Sequence, residues 1–305
     1  MSAPAPRAGG GRLLVLMPPF SWLALFFLAP FAIVLKISLS EPATAQPPYR
    51  PQMPWSLDPE SWRSFLQALG LENYRTLLSD DLYWSAAISS LGLAAASTAV
   101  LLAIGYPIAL AMARAAAGWR QILVALVVVP FWTSLLIRVY AWMAILGPEG
   151  SLNRAVLALG LTSEPLQILN TNTAVLIGIV YSYLPFMVLP LYASLERQDE
   201  TLIEAAADLG ASPLRTFWTV TFPLSRQGIV AGSLLCFIPI VGEFIVPDLL
   251  GGSETLMLGR TLWSEFFSNR DWPLASAVAV VMTVLLVGPI IVYRNAEARR
   301  LEPRG

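Results

Sequence analysis

Six charge-poor apolar runs alternate with polar connections along the chain: Leu13–Leu35, Trp84–Ala113, Gln121–Leu146, Thr171–Leu195, Gln227–Leu250 and Trp272–Tyr293. About 20 apolar residues cross a bilayer as a helix, so the pattern predicts six membrane-spanning helices. The first run is longer and richer in proline than the apolar core of a cleaved signal peptide, which is about 7–15 residues. It is expected to remain as a helix, bent near Pro18-Pro19 and Pro30. Among the connections, Asp58-Pro59 opens a short amphipathic helix that Gly70 ends. A second such helix follows Ser151, with Leu152, Val156 and Leu159 on one face and Gly160 as its stop. The stretch Glu41–Trp55 is rich in proline and reads as a loop. No fixed-period repeat and no inverted pair of broken helices is visible.

One connection breaks the pattern. The polar stretch Glu196–Arg226 lies between the fourth and fifth runs and carries charges of both signs. Its punctuation predicts two short helices. Thr201 and Glu204 have capping-box spacing, and Gly210 sits where a helix end takes a left-handed residue. Ser212 then offers an N-cap oxygen, with Pro213 at the first helical position. A folded insert between spans is suited to docking a partner from the water phase; the bland reading is a surface loop on lipid headgroups. Balanced charge and paired caps favour docking, because headgroup-binding helices carry basic faces.

Composition supports the membrane assignment and narrows the chemistry. Apolar residues make up 56% of the 305 and charged residues only 13%, against about 25% in soluble domains. The net charge of −1 suggests no nucleic-acid partner. Histidine is absent, and the one cysteine, Cys236, lies in an apolar run as inert packing. The sole lysine, Lys36, follows Leu35, so no GxxxxGK[ST] phosphate loop exists. Any nucleotide hydrolysis belongs to another chain, and no cofactor is expected on this one.

Arginine placement orients the spans. One set of ends holds Arg7, Arg12, Arg114, Arg120, Arg197, Arg215, Arg226, Arg294, Arg299, Arg300 and Arg304, and the opposite connections hold fewer. Both termini and the long insert are therefore expected in the cytoplasm. The outer connections carry acids such as Asp58, Glu60, Asp80, Asp81, Glu254 and Glu265. The expected organisation is a cytoplasmic tail at 1–12, a first helix at 13–37 and an outer loop at 38–83. A core domain follows at 84–294, containing the insert 196–226, and a cytoplasmic tail ends the chain at 295–305.

The insert resembles the EAA signature of bacterial ABC importer permeases. Glu204, Ala205, Ala206 and Gly210 match it, and Val220, Phe222 and Pro223 occupy its final positions, two of them by apolar substitution. The likeness extends to Asn73–Leu78 and to Gly105-Tyr106-Pro107. The segments 136–142, 183–190 and 269–273 are similar to the polyamine branch, and 242–252 to its putrescine importers. This resemblance implies an all-α integral membrane protein with six transmembrane helices and the type I ABC importer permease fold. It also implies coupling helices that dock on a cytoplasmic ATPase through Glu204, Ala205, Ala206, Gly210 and Pro223. Implied partners are a homologous second permease, two ATP-binding subunits that carry ATP and Mg, and a periplasmic polyamine-binding protein.

Ionisable residues within the runs are candidates for function, since a mid-bilayer charge costs about 2.5–3.5 kcal/mol or more. Arg138 lies in the outward half of the third run, Glu243 in that of the fifth, and Asp248 nearer its end. Similar depths permit an Arg138–Glu243 ion pair, structural or gating. Glu243 is the candidate acceptor for a cationic substrate, and Pro239 and Pro247 flank it where a helix could open. Trp132, Tyr140, Trp142, Tyr181 and Tyr183 offer ring faces to an ammonium, or form a belt and packing. Tyr181 and Tyr183 cannot both face one path; Tyr181 and Trp132 are the candidates. The alternatives are import of another solute, such as spermidine, ferric iron or an oxyanion, or a secondary transporter. No catalytic constellation is found.

Overall fold

The computed structural model describes residues 10–56 and 58–301. The outermost residues of the two expected tails, with Arg7 and Arg304 of the orientation argument, lie outside the described residues. The chain divides into two compact units, Met1–Asp81 with Leu262–Gly305, and Leu82–Thr261. The last helix, which the sequence reading grouped with 84–294, clusters with the N-terminal helices.

In the first unit, α1 (Gly10–Leu23) and α2 (Ala29–Ser38) are joined by a π turn, Ala24–Leu28. Pro18 and Pro19 lie inside α1; the irregularity comes instead just before Pro30. Pro30 has no N–H to donate to the preceding turn, and the Ala29 N–H bonds Ala24 O, five residues back. Val15–Ser38 forms one continuous apolar span, and its rings are open to the surroundings, Trp22 by 65% and Phe27 by 63%. The stretch read as a loop contains a minimal hairpin, β1 (Glu41–Pro42) antiparallel to β2 (Tyr49–Arg50). Lys36 Nζ donates to Pro51 O and lies 4.2 Å from the Tyr49 ring centre. Helix α3 (Pro59–Gln67) starts where expected. Asp58 caps it by accepting from the Ser61 and Glu60 N–H groups, and the Ser61 hydroxyl bond, then these backbone bonds, hold its carboxyl below the usual range. On α4 (Glu72–Ser79), buried Asn73 donates to Ser38 O and Ser40 O at 2.9 and 2.8 Å, closing the end of α2.

The second unit holds most of the remaining spans. Helix α5 (Asp81–Arg114) and α9 (Asn172–Glu196) are continuous. The third run is not one rod: α6 (Ala117–Val128) passes through a 3₁₀ turn, Val129–Trp132, into α7 (Leu135–Leu146), and Ala117–Trp132 lies bent by 89° against Leu135–Ala158. Pro130 has no amide hydrogen and disfavours a helical residue before it. Helix α8 (Ser151–Ala158) follows, and Gly160 (φ +67°) ends that connection as read from sequence. The insert contains α10 (Glu200–Asp208), α11 (Pro213–Thr216), a π turn at Phe217–Thr221 and α12 (Phe222–Leu224). The fifth run is split into α13 (Arg226–Val241) and α14 (Ile245–Leu250). After α15 (Leu258–Trp263), the sixth run begins α16 (Trp272–Leu301), whose apolar part is Trp272–Gly288.

Helices α9 and α13 pack closely. Gly228, Gly232, Cys236 and Ile240 form a buried stripe on α13 at four-residue spacing. A Cβ on Gly228 would meet Pro190 O at 2.9 Å, and one on Gly232 would meet Met187 O at 3.1 Å. Small residues thus let the backbones approach, as van der Waals packing requires in a bilayer. Cys236 is a buried packing residue in this stripe, its Sγ 3.7 Å from Tyr183 O.

Candidate functional site

The insert is built from interlocking caps. The α10 cap is Asp199, whose Oδ1 accepts from the Thr201 N–H at 3.0 Å. This replaces the expected Thr201–Glu204 capping box, because an aspartate one residue ahead of Glu200 already satisfies that N–H and complements the helix dipole. The same bond holds the Asp199 carboxyl below the usual carboxylate range. At the other end, Gly210 has φ +79°, Gly210 N–H bonds Ala207 O at 2.8 Å and Ala211 N–H bonds Ala206 O at 3.0 Å. These two bonds make a Schellman motif. Ser212 Oγ then accepts from Arg215 N–H at 3.4 Å, with Pro213 opening α11, as read from sequence.

The base of the insert is tied to the spans by contacts the sequence reading did not assign. Tyr106 shares a 2.8 Å hydrogen bond with Ser225 and packs against Phe217 and Phe222 at 5.5 and 5.9 Å between ring centres. Gln198 Nε2 donates to Thr221 O at 3.0 Å. Glu196 accepts from Tyr192 Oη at 2.6 Å and pairs with Arg120 at 3.7 Å. On the insert, Glu204, Ala205, Gly210 and Pro223 are exposed and Ala206 is half-buried; Glu204 lines a cavity of about 460 Å³ with Arg114, Arg120 and Glu196. Large apolar side chains stand beside them: Leu209 is 90% exposed and Leu214 69%.

The second site is a cavity of about 480 Å³ among α7, α9 and α13, with Glu243 at the break before α14. Phe131, Tyr183, Phe186 and Leu235 give it an apolar and aromatic wall, and Arg138 and Glu243 supply its two charges. Helix α13 runs through Pro239 and stops at Val241; Gly242, Glu243 and Phe244 are unwound before α14. Glu243 is buried, and its carboxylate accepts from Tyr183 Oη at 2.6 Å and from the Ile245 N–H at 3.1 Å. The carboxylate thus caps the helix that follows it.

The structure redistributes the expected site residues. Arg138 and Glu243 line one cavity but form no ion pair: both Glu243 oxygens are bonded to neutral donors. Tyr183, not Tyr181, faces the carboxylate; Tyr181 packs edge-on against Trp142 at 5.5 Å. Trp132, on the turn between α6 and α7, is 84% exposed and does not line the cavity. Asp248 does not line it either: it pairs with Arg260 at 3.3 Å.

Helix α15 holds the break in place. Leu258 N–H donates to buried Ser90 Oγ at 2.8 Å. A Cβ on Gly259 would overlap Gly242 O and lie 2.7 Å from Glu243 O, so backbone meets backbone here. Gly259→Ala is expected to destabilise the protein by on the order of 1–3 kcal/mol, the range for overpacking. The thermal midpoint of the detergent-purified protein checks this; an unchanged midpoint would mean the α15 contact is loose.

Comparison with known proteins agrees with this architecture. Residues 105–302 match the family model described as binding-protein-dependent transport system inner membrane component. The spermidine/putrescine transport system permease protein PotB of Haemophilus influenzae is 42% identical over 277 residues, 91% of each chain. PotB of Escherichia coli is 43% identical over 226 residues, 74% of this chain and 82% of that one. A solved bacterial ABC transporter that imports the acidic polysaccharide alginate superposes with a TM-score of 0.68 at 17% identity, covering 95% of this chain and 96% of that one. With a family match over most of its length and a relative 42% identical along nine-tenths of it, the chain belongs to the binding-protein-dependent transport system inner membrane components, the permease subunits of ABC importers.

Proposed function

We propose that this chain is the translocating permease of an ATP-driven polyamine importer, with putrescine as its substrate. The observation that carries the reading is Glu243: a buried carboxylate in an aromatic-walled cavity at a helix break, in a chain similar along nine-tenths of its length to a spermidine/putrescine permease. An alkylammonium needs a charged acceptor and ring faces, and this cavity offers both. Both termini and the insert lie in the cytoplasm, by the arginine distribution. The exposed Glu204, Ala205, Gly210 and Pro223, with Leu209 and Leu214, dock on an ATPase subunit. Two large apolar side chains this exposed on one short insert support an interaction site there.

The assembly is this permease, a homologous second permease, two ATP-binding subunits carrying ATP and Mg, and a periplasmic polyamine-binding protein. Closure of the ATPase pair draws the inserts together and rocks the spans as bodies. Proteoliposomes with the co-purified subunits should take up radiolabelled putrescine only with ATP, and excess spermidine should compete weakly. Strong competition would move the substrate to spermidine. ATP hydrolysis stimulated by the binding protein without uptake of either polyamine would overturn the polyamine reading.

A further inference from the structure

Arg138 is a cation in the wall of a cation path. A fixed guanidinium in the wall of the cavity repels an incoming ammonium. Its Nε and Nη1 are buried and have no hydrogen-bond partner among the described residues. Its guanidinium carbon lies 5.2 Å from the centre of the Phe131 ring. Glu243 lines the same cavity, yet among the described residues its oxygens bond the neutral donors Tyr183 Oη and Ile245 N–H. Open charged donors near a carboxylate held by neutral ones make an unstable end point, since buried charges favour pairing. The carboxylate also sits at the break between α13 and α14, where Gly259 and the Glu243 N–H bond to Ile240 O hold the backbone, so a change of partner is a rotation of the Glu243 side chain and a movement of α7 toward it.

We propose that Arg138 and the substrate ammonium alternate on Glu243. Arg138 binds the carboxylate in the state in which the path is empty and closed. Tyr183 holds it in the arrangement seen here, from which the ammonium takes it. The inference rests on reading the cavity as the cation path. Its consequence is selectivity: an empty path contains an internal ion pair rather than a vacant carboxylate, so a small stray cation finds no acceptor.

Two measurements on the full reconstituted transporter test the exchange. The first uses Arg138→Cys with Glu243→Cys and the native cysteine removed as Cys236→Ala. A short bis-thiol cross-linker is applied in the nucleotide-free and the vanadate-trapped states. Cross-linking in one state and not the other is expected; equal yield in both, or none in either, overturns the exchange. The second follows passive rubidium efflux and putrescine uptake in Arg138→Gln. Rubidium leak should rise, and KM for putrescine should fall about tenfold, the scale of one charge-assisted contact. Arg138→Lys should restore both, and Arg138→Gln should add nothing in a Glu243→Gln background. Unchanged leak, or fully additive effects, overturns the exchange. A wild-type complex that moves no polyamine defeats the import reading alone, because cross-linking and rubidium efflux need no polyamine.

Discussion

Gly210→Val should abolish coupling between ATP hydrolysis and uptake while leaving the protein folded in the membrane. Gly210 has φ +79°, and a Cβ placed there meets nothing within 4 Å. The substitution therefore acts through the backbone and not through a clash. A non-glycine residue in the left-handed region costs roughly 1–2 kcal/mol, and a β-branched one is a genuine outlier there. The chain escapes by leaving that region. The Gly210 and Ala211 N–H groups then lose Ala207 O and Ala206 O, and α11 points elsewhere relative to α10. If the insert is the docking element, uptake should fall at least about tenfold, since a strain of this size corresponds to a factor near ten. ATP hydrolysis would persist but no longer respond to the binding protein. Gly210→Asn, which visits the left-handed region readily, should retain most uptake. Normal, stimulated uptake by the valine variant would show that the turn does not aim a docking surface.

What the sequence made legible was local. Gly210, Ser212, Pro213 and Asp58 act on neighbours one to three residues away, so their spacing carried the answer. The α10 cap was misassigned because Asp199 and Thr201 compete for one helix start, and spacing alone does not rank them. The bend in the third run was signalled by Pro130, whose missing N–H breaks the helix, although the run reads as one apolar stretch. Azimuth was not legible at all. On a helix of 3.6 residues per turn, residues two apart point about 200° apart. Tyr181 and Tyr183 could not both face inward, but only the packing of α9 against α13 decides that it is Tyr183 that does. For the same reason, equal depth did not make Arg138 and Glu243 an ion pair. Tyr106 was legible only as part of a resemblance, because its partner Ser225 lies 119 residues away.

Glu243→Gln should cost the transporter most of its cation flux without loosening the assembly. The substitution keeps the size and one acceptor oxygen and removes the charge. The Ile245 N–H keeps an acceptor, so the start of α14 stays capped. Tyr183 keeps a partner as well, since an amide and a hydroxyl can each donate or accept. The local fold is thereby separated from the electrostatics. A hydrogen bond to a charged group is worth about 1.5–3 kcal/mol. An ammonium that relies on this carboxylate loses roughly 10- to 100-fold in uptake efficiency when it is neutralised. Co-purification with the other subunits and basal ATP hydrolysis should not change, because Glu243 is far along the chain from the exposed surface of α10 and α11. Glu243→Asp separates reach from charge: it keeps the carboxylate one methylene shorter, and partial uptake is expected. Unaltered uptake kinetics in the glutamine variant would remove Glu243 from the path. In that case the carboxylate would serve only as the cap of α14, and the cation would have to cross by another route.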